Sequence, residues 1–338
     1  MPTEPTTPDV PAPDAGIPLV DLARWFDGSV DERRAFATEV DAHLRRLGFL
    51  VVVNHGVARS LIDDFRELAR EFFHQPAARK SDVTLTAGTY RGWVGPGLES
   101  NAASYGVQTA PDLKESFAFG PVDVVDERLR DLHPDSFAPN VWPELPAGFR
   151  EAAEAWWHAA RSLHDELLDV ASLALGLPLD HLRSLCRATT ASAGVNWYGP
   201  RGAVDPLPDQ YRIGPHTDFG LLTVLDREPG LGGLQVLDED GEWIDAPVVP
   251  GSLIINTGDL VRRWTNDRWC SNVHRVLPPP AANPQEELIS LVFFGEPDRD
   301  ALVEAFASCV SDDDPARYPP VLAHEYLAEK MRALVVDA

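Results

Sequence analysis

The alternation of hydrophobic and polar positions in the first part of the chain predicts strands and helices in turn. Residues 17–22 (IPLVDL) alternate as a strand does, and 29–47 open with a capping-box signature before a helical pattern. The run GFLVVVNHG (48–56) is rich in β-branched residues and closes on glycine, and an amphipathic helix is expected at about 59–73. The predicted opening is therefore β-α-β-α.

The pattern changes after about residue 190. A long helical pattern covers about 144–175, whereas the later part consists of short apolar runs separated by Gly, Pro, Asn or Asp. Many short strands with turn residues between them are typical of a sandwich or a barrel. A final helix is expected at about 320–334. The expected strands are AGVNWYG, QYRIGPHTD, LLTVLDR, GGLQVLD, GSLIINTGD, SNVHRVL and LISLVFFG.

The composition of the first residues differs from that of the rest of the chain. Residues 1–16 are rich in Pro, Thr and Asp and are expected to form a disordered tail, because they cannot bury enough apolar surface. Residues 17–338 are expected to form a single domain. Its expected parts are an N-terminal α/β and helical part (17–189), a barrel part (190–300) and a C-terminal helical segment (301–338).

Charge and cysteine content exclude several classes of function. The chain has 338 residues, with 29 basic and 53 acidic side chains and a formal net charge of -24. Such a charge repels nucleic acids and anionic membranes, so a small-molecule substrate is expected. No apolar run approaches the roughly 20 residues that span a bilayer, and no signal peptide is recognised, so a cytoplasmic location is expected. The three cysteines lack a C-x-x-C spacing, which argues against a disulfide framework or a zinc ribbon.

Two histidines and an aspartate form a candidate metal site. His216 and Asp218 are separated by one residue at the end of an expected strand, so both side chains can face the same side. His274, in a later strand, would complete a facial triad, which leaves about three open positions on octahedral iron(II). Zinc could bind the same ligands but favours fewer open positions. An isolated H-x-D occurs often by chance, so the pair alone is weak evidence.

The surrounding motifs resemble the isopenicillin N synthase-like family of iron(II)- and 2-oxoglutarate-dependent oxygenases. The resemblance implies an α+β fold with a double-stranded β-helix (jelly-roll) core flanked by helices. It also implies that iron(II) lies at the mouth of the core, held by His216, Asp218 and His274. The motifs that match, in the order of the family, are IPLVDL, GFLVVVNHGV, YRGW, PDLKE, NWY, HTD, GGLQV, NTGD, WTNDRW, HRV and SLVFF.

The resemblance also implies residues that contact the cosubstrate or the substrate. Tyr198 matches a tyrosine that hydrogen-bonds a carboxylate, and Asn196 is a weaker candidate on the same strand face. Ser290 matches the serine of an R-x-S motif, and Arg91 lies where an arginine often approaches the substrate. The alternative interpretations are a core tyrosine, an ordinary strand serine and a solvated loop arginine.

Leu288 departs from this family pattern. It takes the place of the R-x-S arginine, which binds the distal carboxylate of 2-oxoglutarate in the family. A buried carboxylate without a cation costs several kcal/mol, so this position argues against standard 2-oxoglutarate binding. Two hypotheses stay open. Either the enzyme is an oxidase that needs no 2-oxoglutarate, which we prefer from the sequence alone, or a relocated cation such as Arg212 binds the cosubstrate.

The sequence thus predicts a non-haem iron(II)- and O2-dependent oxidoreductase. The expected reaction is hydroxylation, desaturation or oxidative cyclisation of a small, carboxylate-bearing metabolite. A non-catalytic metabolite-binding protein is the alternative from another class. Binding alone would not need three metal ligands, so an intact triad argues against that alternative.

Overall fold

The computed structural model describes residues 16–85, 89–123, 127–200 and 207–334. Apart from Gly16, the expected tail lies outside the described residues. Within the described ranges, no helix is both long enough and apolar enough to cross a membrane.

The part of the chain before residue 190 is mostly helical. The helices at 29–47 and 59–73 are confirmed, whereas the long helix begins at Phe149 and not near 144. Pro146 and Gly148, whose φ is 88°, keep the preceding residues from adopting helical geometry. The elements are β1 (Leu19–Asp21), α1 (Ala23–Phe26), α2 (Val30–Arg46), β2 (Phe49–Val53), α3 (Arg59–Phe73), α4 (Ala77–Lys80), β3 (Gly92–Val94), α5 (Asn101–Ser104), β4 (Glu115–Phe119), α6 (Glu127–Leu132), α7 (Phe149–Ala174) and α8 (His181–Ser184).

The part after residue 190 consists mainly of short strands, as predicted. The segment after 300 is not only helical, because β13 and β14 pair with each other there before the last helix. The elements are β5 (Ser192–Tyr198), β6 (Ile213–His216), β7 (Leu222–Arg227), β8 (Leu234–Leu237), β9 (Trp243–Asp245), β10 (Leu253–Thr257), α9 (Asp259–Trp264), β11 (His274–Val276), β12 (Leu288–Phe294), β13 (Leu302–Val303), β14 (Val321–Leu322) and α10 (Ala323–Leu334).

Two sheets form the jelly-roll core. In the described ranges, the larger sheet has the order β1-β2-β10-β7-β12-β5-β4-β3, and the smaller sheet has the order β6-β11-β8-β9. A small apolar cluster joins the two sheets, with Val51 and Ile254 from the larger one and Leu234 and Val236 from the smaller one. The core is therefore a sandwich of two sheets whose inner faces meet.

Helices cover the other face of the larger sheet. Trp156 of α7 is fully buried in the main apolar cluster, together with Val224 of β7 and Phe293 of β12. Successive residues of a strand point to opposite faces. Val224 therefore packs toward the helices, whereas Thr223 and Leu225 line a cavity between the two sheets.

A capping box fixes the start of α2. The hydroxyl of Ser29 accepts a hydrogen bond from the backbone N–H of Glu32, and the Glu32 carboxylate accepts one from the backbone N–H of Ser29. Replacing Ser29 with alanine should lower the free energy of unfolding by about 1 kcal/mol, because the first helical turn loses this acceptor. Urea unfolding of the variant measures the change. Thr38→Ala, an exposed position within the same helix, is the control and should show no loss of comparable size.

Candidate metal centre

Strand pairing brings the three predicted ligands together. β6 and β11 pair antiparallel with His216 opposite His274, and Asp218 follows β6 by two residues. Asp218 Oδ1 lies 3.8 Å from Nε2 of each histidine. Within the described ranges, these three side chains form the group that could hold a metal ion. Their ligand atoms all lie within 4.8 Å of one another.

Backbone carbonyls fix the tautomer of both histidines. Nδ1 of His216 lies 2.8 Å from the carbonyl oxygen of Gly214, and Nδ1 of His274 lies 3.1 Å from that of Asn272. A carbonyl oxygen can only accept a hydrogen bond, so each Nδ1 carries the proton. The Nε2 lone pairs are left for a metal ion.

Two donors orient the aspartate. Asp218 Oδ2 accepts hydrogen bonds from Thr223 Oγ1 at 2.5 Å and from Asn256 Nδ2 at 2.6 Å. Its other oxygen, Oδ1, is the one that faces the two histidines. The carboxylate is therefore held to offer one oxygen to the metal, as expected of a ligand supported by outer hydrogen bonds.

The protonation states suit a metal site. Burial, together with the neighbouring His274, holds the pKa of His216 well below its usual range. Burial alone would raise the pKa of Asp218, but the two imidazoles and the two hydrogen bonds outweigh it and lower that pKa. A neutral imidazole and an ionised carboxylate need not lose a proton before they bind a cation. Two nitrogens and one oxygen with open positions fit iron(II).

Two cavities meet at this centre. The barrel cavity lies between the two sheets, has a volume of about 710 Å³ with the open solvent at its entrance included, and is lined by Tyr198, Leu288 and Ser290 among others. The flanking cavity lies on another side of the metal centre, has a volume of about 820 Å³ with open solvent included, and is lined by Lys114 and Glu296 among others. His216 and Asp218 line both cavities, so two molecules could approach one metal from different sides.

Several residues predicted for the site lie beside the metal centre. Tyr198 and Ser290 are buried, and their hydroxyl oxygens are 3.4 Å apart. Leu288 lines the same cavity and lies opposite Tyr198 in the pairing of β12 with β5. Asn196 lines both cavities and accepts a hydrogen bond from Lys114 Nζ at 3.3 Å.

Arg91 does not line either cavity, in contrast to the role expected for it. Its guanidinium donates to the backbone carbonyls of Thr89, Tyr90 and Ser136 and lies against Gly120. Burial lowers the pKa of Arg91 to about 10. The buried arginine thus joins its own loop to the segment around Ser136. The neighbouring Tyr90 is the residue that lines the flanking cavity.

Arg212, the cation expected to replace the missing arginine, is already paired. Its Nη1 lies 2.8 Å from Glu286 Oε1, and its guanidinium lies over the ring of Tyr198 at 5.3 Å. Arg212 is buried, but it is not among the residues that line the barrel cavity. Its charge is therefore balanced within the protein.

Arg227 is a cavity residue that the sequence interpretation missed. It ends β7 and lines the barrel cavity on the same strand face as Thr223 and Leu225. The alternation in LLTVLDR was the available signal, because Arg227 is four residues after Thr223. Asn256, from the NTGD motif, was also missed, and it holds Asp218.

A jelly roll in which two imidazoles and one carboxylate line the barrel cavity defines the class of mononuclear non-haem iron oxygenases. Residues 17–145 match the family described as non-haem dioxygenase in morphine synthesis N-terminal. Residues 191–297 match the 2OG-Fe(II) oxygenase superfamily, in which 2OG is 2-oxoglutarate.

Curated relatives match over nearly the whole chain. A validamycin A dioxygenase from Streptomyces hygroscopicus subsp. limoneus is 35% identical over 324 residues, which cover 95% of this chain and 87% of that protein. A proline hydroxylase from Petromyces alliaceus is 30% identical, with 89% of this chain and 94% of that protein covered. The chain therefore belongs to the 2OG-Fe(II) oxygenase superfamily.

Solved structures agree with this assignment. The full-length Neurospora crassa T7H in complex with alpha-KG, which is 2-oxoglutarate, and thymine superposes with a TM-score of 0.83 at 25% identity. That match covers 95% of this chain and 98% of the other. The predicted resemblance, jelly-roll fold and iron(II) oxygenase class are confirmed. The comparisons favour 2-oxoglutarate dependence, so the preference for an oxidase without cosubstrate loses its support.

Proposed function

We propose that this chain is an iron(II)- and 2-oxoglutarate-dependent dioxygenase whose metal ligands are His216, Asp218 and His274. The observation that carries the proposal is the convergence of two imidazole Nε2 atoms, whose Nδ1 atoms contact backbone carbonyls, and one carboxylate oxygen within 4.8 Å. Iron(II) bound by these ligands would supply the site of O2 activation. The Nδ1–H bonds to backbone carbonyls keep both imidazoles oriented for that ion.

The two cavities support a division of roles. The barrel cavity, with the hydroxyls of Tyr198 and Ser290, would take 2-oxoglutarate, and the flanking cavity would take the substrate. The reduction of O2 needs four electrons. Two come from 2-oxoglutarate as it becomes succinate and carbon dioxide, and two come from the substrate as a C–H bond becomes C–OH. Hydroxylation balances these electrons without an external reductant.

The flanking cavity has polar and apolar walls, which suit a small substrate that carries both kinds of group. Lys114 lies 2.6 Å from Glu99, and Glu296 accepts a hydrogen bond from Thr190 at 2.7 Å. Burial raises the pKa of Glu296 to about 7, so this carboxyl is partly protonated near neutral pH. The substrate carboxylate expected from the sequence stays a prediction. Lys114 is already paired with Glu99, and Arg91 donates to backbone carbonyls, so neither side chain is directed at a substrate. Besides His216 and Asp218, the polar side chains that line the cavity are Tyr90, Asn101, Lys114, Ser116, Ser192, Asn196, Thr217 and Glu296.

The location and the wider partners of the protein also stay predictions. A net charge of -24 supports a small-molecule substrate rather than nucleic acid or an anionic membrane. The expected cytoplasmic location rests on the sequence alone.

The test of the proposed function is the fate of 2-oxoglutarate. The wild-type protein, loaded with iron(II) under anaerobic conditions and then exposed to O2, should form succinate in step with O2 uptake when a suitable substrate is present. The substrate panel should include validamycin A and free proline, because the relatives named above are described as acting on validamycin A and proline. Chromatography measures succinate, and an oxygen electrode measures O2 uptake.

Each alternative gives a different result in the same assay. Substrate-dependent O2 uptake that leaves 2-oxoglutarate unconsumed would identify the oxidase without cosubstrate. Metabolite binding without O2 uptake would identify the non-catalytic binding protein. Protein prepared without iron is the control and should form no succinate.

A further inference from the structure

The end of the barrel cavity remote from the metal ligands has an unusual distribution of charge. Leu288 presents an apolar side chain there, and Arg212 is neutralised by Glu286. Arg227 lines the cavity, yet no carboxylate oxygen of the described residues lies within 4.0 Å of its guanidinium. A cation that faces a cavity without a carboxylate partner is suited to an anionic ligand.

We infer that Arg227 binds the distal carboxylate of 2-oxoglutarate, in place of the arginine whose position Leu288 occupies. This inference rests on the proposed function, because it names the cation that the same site would use for its cosubstrate. It assigns the role to a neighbouring strand, β7, rather than to β12.

The position of Arg227 along β7 suits this role. Thr223, at the other end of the strand, donates its hydroxyl to Asp218 and so marks the metal end of the cavity. Arg227 is four residues further along on the same face, which corresponds to about 13 Å between the two Cα atoms. A five-carbon dicarboxylate that reaches from the metal can meet an arginine side chain within that span.

Hydroxyl groups lie next to Arg227 at this end of the cavity. Ser290 is the residue paired with Arg227 between β12 and β7. The Tyr198 hydroxyl oxygen is 3.4 Å from Ser290 Oγ. A carboxylate here would meet one guanidinium and two hydroxyl donors, which together suit both of its oxygens.

The backbone holds Arg227 without removing its charge. Its Nη2 donates to the backbone carbonyls of Ala246 and Pro247, the latter at 2.7 Å. Its Nη1 and Nε have no hydrogen-bond partner among the described residues. Burial lowers the pKa of Arg227, but an arginine remains charged at neutral pH. The guanidinium is thus oriented and charged, and it keeps donors for a ligand.

The test compares two ligands that differ only at the distal group. 2-Oxoglutarate and 2-oxovalerate have the same five-carbon chain, but 2-oxovalerate ends in a methyl group. Their binding to the iron(II)-loaded protein is measured without O2 by isothermal titration calorimetry. Arg227→Leu should weaken 2-oxoglutarate binding about 100-fold, the effect of losing a charged hydrogen-bonded pair. It should leave 2-oxovalerate binding and iron content unchanged.

Three further variants separate a direct contact from a loss of folding. Arg227→Lys should retain part of the preference for 2-oxoglutarate, because it keeps the charge but not the paired donors. The double variant Leu288→Arg/Arg227→Leu should recover binding, because the cation returns to the neighbouring strand. Arg212→Leu, the matched control, should keep the preference for 2-oxoglutarate over 2-oxovalerate.

The outcomes distinguish this inference from the function on which it rests. If wild-type protein does not bind 2-oxoglutarate, the proposed function fails and the assignment of Arg227 fails with it. If wild type binds 2-oxoglutarate and Arg227→Leu binds it equally well, the assignment alone is wrong. An equal loss of both ligands in Arg227→Leu would also overturn the assignment, because the arginine would then only support the cavity wall.

Discussion

Asp218→Ala is expected to abolish tight iron(II) binding. Wild-type protein should bind about one iron(II) per chain, as expected for a single facial triad. The variant would keep two imidazoles but would lose the anionic ligand that lies 3.8 Å from both of them. It would also leave the donors of Thr223 and Asn256 without their acceptor. Metal analysis after anaerobic loading and desalting measures the change.

Further variants show how much the other ligands and the outer hydrogen bonds contribute to iron(II) binding. His216→Ala and His274→Ala should each lose tight binding as well, because each removes one ligand. Thr223→Val should keep the triad but weaken iron(II) binding about 10- to 100-fold, because it removes only an outer hydrogen bond. Asp240→Ala, at an exposed turn, is the control and should bind iron as wild type does. Unchanged iron content in all three triad variants would show that the metal binds elsewhere.

Asp226→Ala is expected to lower the free energy of unfolding by about 3 kcal/mol, because it removes the buried carboxylate that pairs with Arg66 and leaves that arginine only its longer contacts with Asp63 and Glu228. Asp226 is 1% exposed on the face of β7 opposite Arg227. Its carboxylate pairs with the buried Arg66 of α3, and Arg59 of the same helix approaches it at 3.5 Å. The pair therefore joins α3 to the larger sheet. Urea unfolding monitored by circular dichroism measures the loss.

Two control variants show whether the effect comes from the buried charge. Asp63, which pairs with the same two arginines, is half exposed, so Asp63→Ala should cost less than about 1 kcal/mol. The double variant Arg66→Leu/Asp226→Leu should recover most of the lost stability, because it removes both charges together. A loss as small for Asp226→Ala as for Asp63→Ala would mean that the buried pair contributes little.

Most helices and strands and the ligands His216 and Asp218 could be predicted from local signals, and His274 from the resemblance to the family. Strand alternation placed His216 and Asp218 on one face, and the order of motifs around them indicated the family. The amphipathic pattern placed α3 at its observed bounds. Each motif is short and local, whereas His274 was assigned through the order of the motifs along the chain.

The charges around the barrel cavity could not be predicted in the same way. Arg212 and Glu286 are separated by 74 residues, so their pairing follows from the packing of strands and not from a local pattern. The place of Arg227 beside Ser290 depends on the register of β7 against β12. Arg91 lies in a matching motif, but the conformation of its loop directs it to backbone carbonyls. The positions of these three arginines therefore depend on the register between distant strands and on the conformation of a loop.

Because Asp226 and Arg227 are adjacent on β7, they face opposite sides of the sheet. A shift of this strand by one residue would exchange them, with a carboxylate entering the cavity and an arginine entering the apolar layer under the helices. The turn before β7 should therefore accept changes of residue type far more readily than changes of length. Deletion of one residue between Asp218 and Leu222 would place a carboxylate in the cavity where Arg227 now lies. The same deletion would break the ion pair between Asp226 and Arg66 that joins α3 to the larger sheet.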